Sequence, residues 1–128
     1  MERLLIDERI LADGRHARSW ASLAEGRLVL ADDAGTGGAL PIDALDRVMV
    51  RFGRALDPEI ALTGPVLACG NGRVLRRLRF HAIVDAEARD YLVWERPGEE
   101  PLAVIATTAA AALRHLVEHL GPPAASGI

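Results

Sequence analysis

The chain of 128 residues contains no lysine and no glutamine, and all 15 of its basic residues are arginine. Its single cysteine, Cys69, excludes an internal disulfide framework and a zinc knuckle built from the cysteines of one chain. No segment approaches the roughly 18 consecutive apolar residues that a membrane helix needs. The first ten residues are rich in charge and no apolar segment follows them, so we expect no signal peptide and a cytoplasmic location.

The composition is that of one small folded domain. Half of the residues are hydrophobic and 26% are charged, which provides enough apolar side chains to bury a core. The net charge of −3 argues against a general nucleic-acid binder, because such proteins are usually basic. We expect residues 1–121 to form a single compact β domain and residues 122–128 to form a flexible tail.

Short apolar segments separated by turn signals predict six to seven strands before residue 106. Asn71-Gly72 is a strong hairpin signal, because both residue types accept a positive φ. The segment 47–52 has Met49 among β-branched neighbours and is predicted to be a strand. Residues 43–46 are expected to form at most one helical turn, and residues 53–65 an irregular connection.

The last element is predicted to be an amphipathic helix over 107–120, with Thr107 or Thr108 as its cap. Its apolar stripe consists of Ala109, Ala112, Leu113, Leu116, Val117 and Leu120. Parallel βαβ architecture needs helices between strands, and none is predicted. We therefore expect an α+β, mainly β fold: an antiparallel six- to seven-stranded curled sheet or partly open barrel with one C-terminal helix.

The segment from Gly26 to Val50 reads GRLVLADDAGTGGALPIDALDRVMV. It resembles the middle of bacterial pleckstrin-homology-like and GRAM-like domains, in which such a segment supplies consecutive strands and a final helix plugs the barrel. The resemblance implies binding of a lipid headgroup, a peptide or a partner subunit, and it does not imply catalysis. No basic lipid-binding signature of that family matches this chain residue by residue.

A run of basic residues marks one predicted strand. In extended conformation Arg73, Arg77, Arg79 and His81 share one face, and Arg76 interrupts the opposite, apolar face. A row of arginines can hold a phosphate, an acidic partner or RNA, so these four residues are the candidate binding site for an anion or a partner. The alternative is a solvated face paired with acids of a neighbouring strand. The acids nearest in sequence are Asp85, Glu87, Asp90 and Glu95.

The sharpest motif match is His115-Leu116-Val117-Glu118-His119, which fits the H-x-x-E-H pattern of a group of zinc hydrolases. That chemistry needs a further metal ligand downstream, and only nine residues follow, none of them acidic. On a helical wheel His115 and Glu118 also point away from the apolar stripe. We therefore expect these side chains to face water, with a metal site as the alternative.

Cys69 and the aromatic residues have less defined roles. Cys69 precedes a turn and is expected to be a small apolar filler rather than a nucleophile. Tyr91 and Trp94 lie on opposite faces of one predicted strand, so one of the two rings is a candidate for exposure. An exposed ring of this kind can anchor an interface, and packing in the core is the alternative.

These observations predict a non-enzymatic interaction module that binds a protein partner or itself, with an Arg-rich strand face as the candidate surface. One alternative is a small-ligand- or anion-binding β-barrel whose pocket Leu113 and Leu116 line. Another is a metal-dependent hydrolase that uses His115, Glu118 and His119. We expect no cofactor, no nucleic-acid partner and no membrane insertion. An open strand edge in a small β domain favours a homo-oligomer.

Overall fold

A computed structural model describes residues 2–35, 37–82 and 87–120. In this part of the chain strands alternate with turns, and two helices follow the fourth and the ninth strand. The strands are β1 (Arg3–Ile10), β2 (His16–Ala24), β3 (Arg27–Asp32), β4 (Gly37–Pro41), β5 (Arg54–Ala55), β6 (Val66–Gly70), β7 (Arg73–Phe80), β8 (Arg89–Glu95) and β9 (Leu102–Ile105). The helices are α1 (Ile42–Phe52) and α2 (Ala106–Leu120).

The strands form two antiparallel sheets. The first sheet has the order β1-β2-β3-β4, and the second has the order β5-β9-β8-β7-β6. Asn71 and Gly72 have φ values of 55° and 76° and form the predicted turn between β6 and β7. The mainly β antiparallel fold with a C-terminal helix is confirmed. Within the described ranges the strand count is corrected to nine in two sheets, and these sheets do not close into a barrel.

Helix α1 corrects the predicted strand over 47–52. Leu45, Val48 and Met49 are buried, whereas Val50 and Phe52 are 52% and 45% exposed. This spacing of three and four residues is that of one helix face, and a strand would bury every second residue instead. The β-branched residues favour a strand locally, but burial of the helix face in the core overrides that preference.

Helix α2 confirms the predicted amphipathic helix and begins one residue earlier, at Ala106, directly after β9. Thr107 and Thr108 therefore lie in its first turn instead of capping it. Ala109, Ala110 and Leu113 are fully buried on the face of the helix that packs against the core. The helix contacts β1 and β4 of the first sheet, β8 and β9 of the second, and α1, so it fills the space between the sheets.

The main core takes side chains from both sheets and both helices, including Leu28, Leu45, Leu75, Trp94 and Leu113. A second, smaller cluster lies on the other face of the second sheet. Its buried members are Leu56, Leu78 and Val93. Val93 lies between Leu92 and Trp94 of the main core, so strand alternation places it on the opposite face.

A β-bulge interrupts strand β1. Leu5 pairs with Trp20 and Asp7 pairs with Ser19, so Ile6 is the extra residue. Both Ile6 and Asp7 are consequently buried, at 0% and 3% exposure. Beyond the bulge, Ile10 is 72% exposed near the end of the β1–β2 hairpin.

Candidate functional site

An open cleft of about 270 Å³ lies where β1, β7, β8 and the start of α2 meet. We call it the arginine cleft, because three of the residues that line it are arginines. Its lining consists of Asp7, Glu8, Arg77, Arg79, Arg89, Asp90, Ile105, Ala106 and Thr107. The first turn of a helix carries a partial positive charge, so Ala106 and Thr107 place that charge at a cleft lined by three arginines and three carboxylates.

Arg77 joins the two sheets beside this cleft. Its Nη2 donates to Oδ2 of Asp90 at 3.0 Å, and its Nη1 donates to the main-chain carbonyl of Leu5 in β1 at 3.3 Å. The side chain is only 17% exposed. Arg77 therefore satisfies an edge carbonyl of the first sheet from the second sheet, and its role in this geometry is structural.

Arg79 differs from Arg77 in exposure. Its Nη1 donates to the same oxygen of Asp90 at 3.3 Å, but 65% of its side chain is exposed. One carboxylate oxygen of Asp90 thus serves two guanidinium groups. A guanidinium has five N–H donors, so Arg79 keeps donors that an incoming anion can accept.

The four basic residues of the predicted binding face lie at different places along β7 and directly after it in the structure. Arg77 and Arg79 line the arginine cleft. Arg73 lies at the other end of β7, where it donates to the carbonyl of Gly70 at 3.2 Å and lies 3.8 Å from Asp43 of α1. His81 is exposed directly after β7. Of the four predicted residues, the cleft therefore brings together only Arg77 and Arg79.

Pairing with acids of a neighbouring strand, the alternative expected from the sequence, occurs at two positions. Asp90 pairs with Arg77 and Arg79, and Glu95 accepts from Nε of Arg76 at 2.8 Å. Arg76 and Glu95 are 16% and 21% exposed, so this pair shields the charge that interrupts the apolar face. Asp85 lies outside the described residues.

The acidic side of the cleft was not predicted. Asp7 is 3% exposed, and Nη1 of Arg114 on α2 lies 3.5 Å from its Oδ2 and 3.3 Å from the hydroxyl of Ser19. Glu8 pairs with Arg18 at 3.2 Å and lies 3.6 Å from Nδ1 of His16. The bulge turns Asp7 inward, and no local pattern in the sequence predicts a bulge there.

Arg89 was also missed. It lies at the start of β8, opposite Phe80 and two residues before Tyr91. The cross-strand register continues two residues beyond the apolar part of the strand. Pairing the acidic residue Asp90 with the arginines of β7 would have extended the predicted strand to include Arg89.

Tyr91 and Trp94 are both buried, so neither is an exposed interface aromatic and the alternative, packing in the core, holds. Trp94 is 0% exposed and its indole N–H donates to Oδ1 of Asp46 at 2.8 Å. Tyr91 is 7% exposed and stacks on Phe80 with ring centroids 4.1 Å apart. Within this chain neither ring presents an interface anchor, because the second face of β8 is covered as well.

His115, Glu118 and His119 are all exposed on α2, as the helical wheel indicates. Among residues 2–35, 37–82 and 87–120, no group of three or more His, Cys, Asp or Glu side chains is arranged to hold a metal ion. The third ligand that the hydrolase motif requires is therefore missing from the described part of the chain.

Cys69 is buried in the main core at 3% exposure. Burial raises the pKa of its thiol, and a main-chain hydrogen bond at Leu75 and the charge of Arg73 offset this only in part. A nucleophilic cysteine needs the opposite shift, so the geometry fits the expected apolar filler.

A second, apolar groove of about 440 Å³ runs along residues 55–62 and the segment Glu100-Pro101. Neither this groove nor the arginine cleft is lined by Leu113 or Leu116. Leu113 is fully buried. The pocket expected for a ligand-binding barrel is therefore not found at either of these two places.

Comparison of the chain with protein-family models, with curated proteins and with solved structures finds no match. The resemblance to pleckstrin-homology-like and GRAM-like domains accordingly stays a prediction. Neither helix in the described part of the chain is long and apolar enough to cross a bilayer.

Proposed function

We propose that this protein is a non-enzymatic interaction module that binds a carboxylate-bearing segment of a protein partner in the arginine cleft. The observation that carries the proposal is the position of Arg79. Its guanidinium is 65% exposed in a cleft that also contains Arg77, Arg89 and the first turn of α2. A planar guanidinium matches a carboxylate with two parallel N–H donors, so it favours this group over a neutral one.

The size of the cleft favours one group of a larger partner over an enclosed small ligand. Pockets that bury most of a small molecule have volumes of roughly 300–1,000 Å³. The arginine cleft has about 270 Å³ and is open to solvent. Ile105 on its border is 36% exposed and offers an apolar contact next to the charged one.

The ion pairs of the cleft argue against acid–base catalysis. Asp90 is held by two arginines, Asp7 by Arg114, and Glu8 by Arg18. A general base needs a lone pair within reach of a substrate proton and a pKa matched to its task. Carboxylates already engaged by guanidinium groups fit a structural and electrostatic role better.

The test is an NMR titration of the chain with a hexaglutamate peptide, compared with hexaglutamine. We expect backbone signals of the cleft to shift with hexaglutamate only. Arg79→Ala should weaken binding by about tenfold or more, since a hydrogen bond to a charged group contributes about 1.5–3 kcal/mol. Arg27→Ala is the matched control, because Arg27 is exposed at the start of β3 and does not line the cleft.

Arg79 is the better residue to change than Arg77, because loss of Arg77 disturbs the contact between the sheets. Equal affinity of Arg79→Ala and the unchanged chain would contradict the proposal. Equal shifts with hexaglutamine would contradict it as well, since the binding would then not depend on the carboxylates. Inorganic phosphate serves as a third probe, and tighter binding of phosphate than of the peptide would reassign the cleft to a phosphate ligand.

A further inference from the structure

Two histidines on the exposed side of α2 are placed one helical turn apart. His115 and His119 stand at i and i+4, so their side chains lie next to each other on the helix surface. Their ring centroids are 3.9 Å apart with the planes tilted by 40°. Both residues are exposed, so an ion from solvent reaches them without any movement of the core.

A contact with the backbone fixes the protonation pattern of the second ring. Nδ1 of His119 lies 2.9 Å from the carbonyl oxygen of His115. A carbonyl oxygen can only accept, so Nδ1 donates and carries the proton. In the neutral ring Nε2 is then the nitrogen with the open lone pair. Metal-binding histidines are commonly oriented by this kind of hydrogen bond from their other ring nitrogen.

From this geometry we propose that His115 and His119 form a two-histidine chelate for a divalent transition-metal ion of the kind that imidazole binds, such as Zn²⁺, Ni²⁺ or Cu²⁺. Metal–nitrogen distances of about 2.0–2.1 Å place two ligand nitrogens roughly 3 Å apart around the metal. The two rings are already neighbours, with centroids 3.9 Å apart. Rotation about the side-chain bonds of an exposed residue supplies the remaining adjustment.

This site differs from the hydrolase site that the H-x-x-E-H pattern suggests. The chelate uses the two histidines alone and leaves the other coordination positions to water. Glu118 is exposed on the same helix, and no third residue of the described chain joins the pair in a metal-binding group. The inference is independent of the arginine cleft, which lies at the other end of α2.

The experiment is calorimetric titration of the untagged chain with Zn²⁺ at neutral pH. We expect one Zn²⁺ per chain. His115→Asn and His119→Asn should each weaken binding by about a hundredfold or more, because two linked ligands bind far more tightly than one. Glu118→Gln should leave the affinity unchanged within error, and so should His16→Asn, which removes an exposed histidine of β2.

Histidine-selective ¹⁵N NMR gives a second readout. The Zn²⁺-dependent shift of His119 should fall on Nε2, while Nδ1 keeps its proton. Affinity that survives the double change of His115 and His119 to Asn would overturn the proposal. Loss of binding in Glu118→Gln, or one Zn²⁺ per two chains, would overturn it too. Loss of binding in Glu118→Gln would make that carboxylate a ligand, and one Zn²⁺ per two chains would assign the metal to an interface between copies.

Discussion

At the scale of single residues, neighbouring arginines of one strand have different roles. Arg77 is 17% exposed and holds both Asp90 and the carbonyl of Leu5, whereas Arg79 on the same face is 65% exposed. We expect Arg77→Met to lower the free energy of unfolding by about 2–3 kcal/mol, because it removes the side-chain donor to the carbonyl of Leu5 and the more buried of the two guanidinium groups at Asp90. Urea denaturation followed by circular dichroism measures this loss.

Arg79→Met is the control for that measurement, since it removes a guanidinium from the same carboxylate at a solvated position. Its cost should stay below about 1 kcal/mol, as is usual for exposed ion pairs. Similar losses for both variants would show that Arg77 does not join the sheets. Alternation along the strand predicted that these two residues share a face. It could not predict their different burial, because that depends on where β1 lies.

At the scale of elements, helix α1 is the case in which local preference and packing disagree. Arg47 is exposed in the middle of the helix. We expect Arg47→Pro to lower the free energy of unfolding by about 3 kcal/mol, because proline removes a helical hydrogen bond and clashes with the preceding turn. Thermal unfolding of this variant beside Arg47→Ala measures the difference.

The same substitution distinguishes the helix from the strand that the sequence indicates. Proline is tolerated at the first residue of a strand, so a strand over 47–52 would accept it with little loss. The helical signal was present in the sequence, in the spacing of Ile42, Leu45, Val48 and Met49. It was outweighed by the β-branched residues, and only the face that the core covers decides between the two.

At the scale of the whole molecule, α2 connects parts of the chain that are far apart in sequence. Leu113 is fully buried in the main core, while Leu116 packs at its border. We expect Leu113→Ala to lower the free energy of unfolding by about 2–5 kcal/mol, since it removes a fully buried core side chain and leaves a cavity. Leu116→Ala should cost clearly less. Chemical denaturation of both variants provides the comparison, and an equal or larger loss for Leu116→Ala would contradict this packing.

The sequence was sufficient for the strands with turn signals and for α2, because those patterns are local. It was insufficient for the arginine cleft, which combines Asp7 of β1, Arg79 of β7, Arg89 of β8 and Thr107 of α2. These residues meet through the packing of two sheets and one helix. The spacing along the chain contains no information on that arrangement, so only two of the four predicted binding residues line the cleft.

The bulge at Ile6 determines which side chains at the end of β1 face the core and which face solvent. Without the extra residue, alternation would turn Asp7 outward and Glu8 inward, and it would turn Ile10 over as well. The pair between Asp7 and Arg114 favours the bulged register, since it places that carboxylate beside its partner. A residue of the C-terminal helix thus contacts both strands of the N-terminal hairpin beside the bulge, at Asp7 of β1 and Ser19 of β2. A change at Arg114 would therefore act at the opposite end of the sequence, where it leaves the 3% exposed carboxylate of Asp7 without that guanidinium.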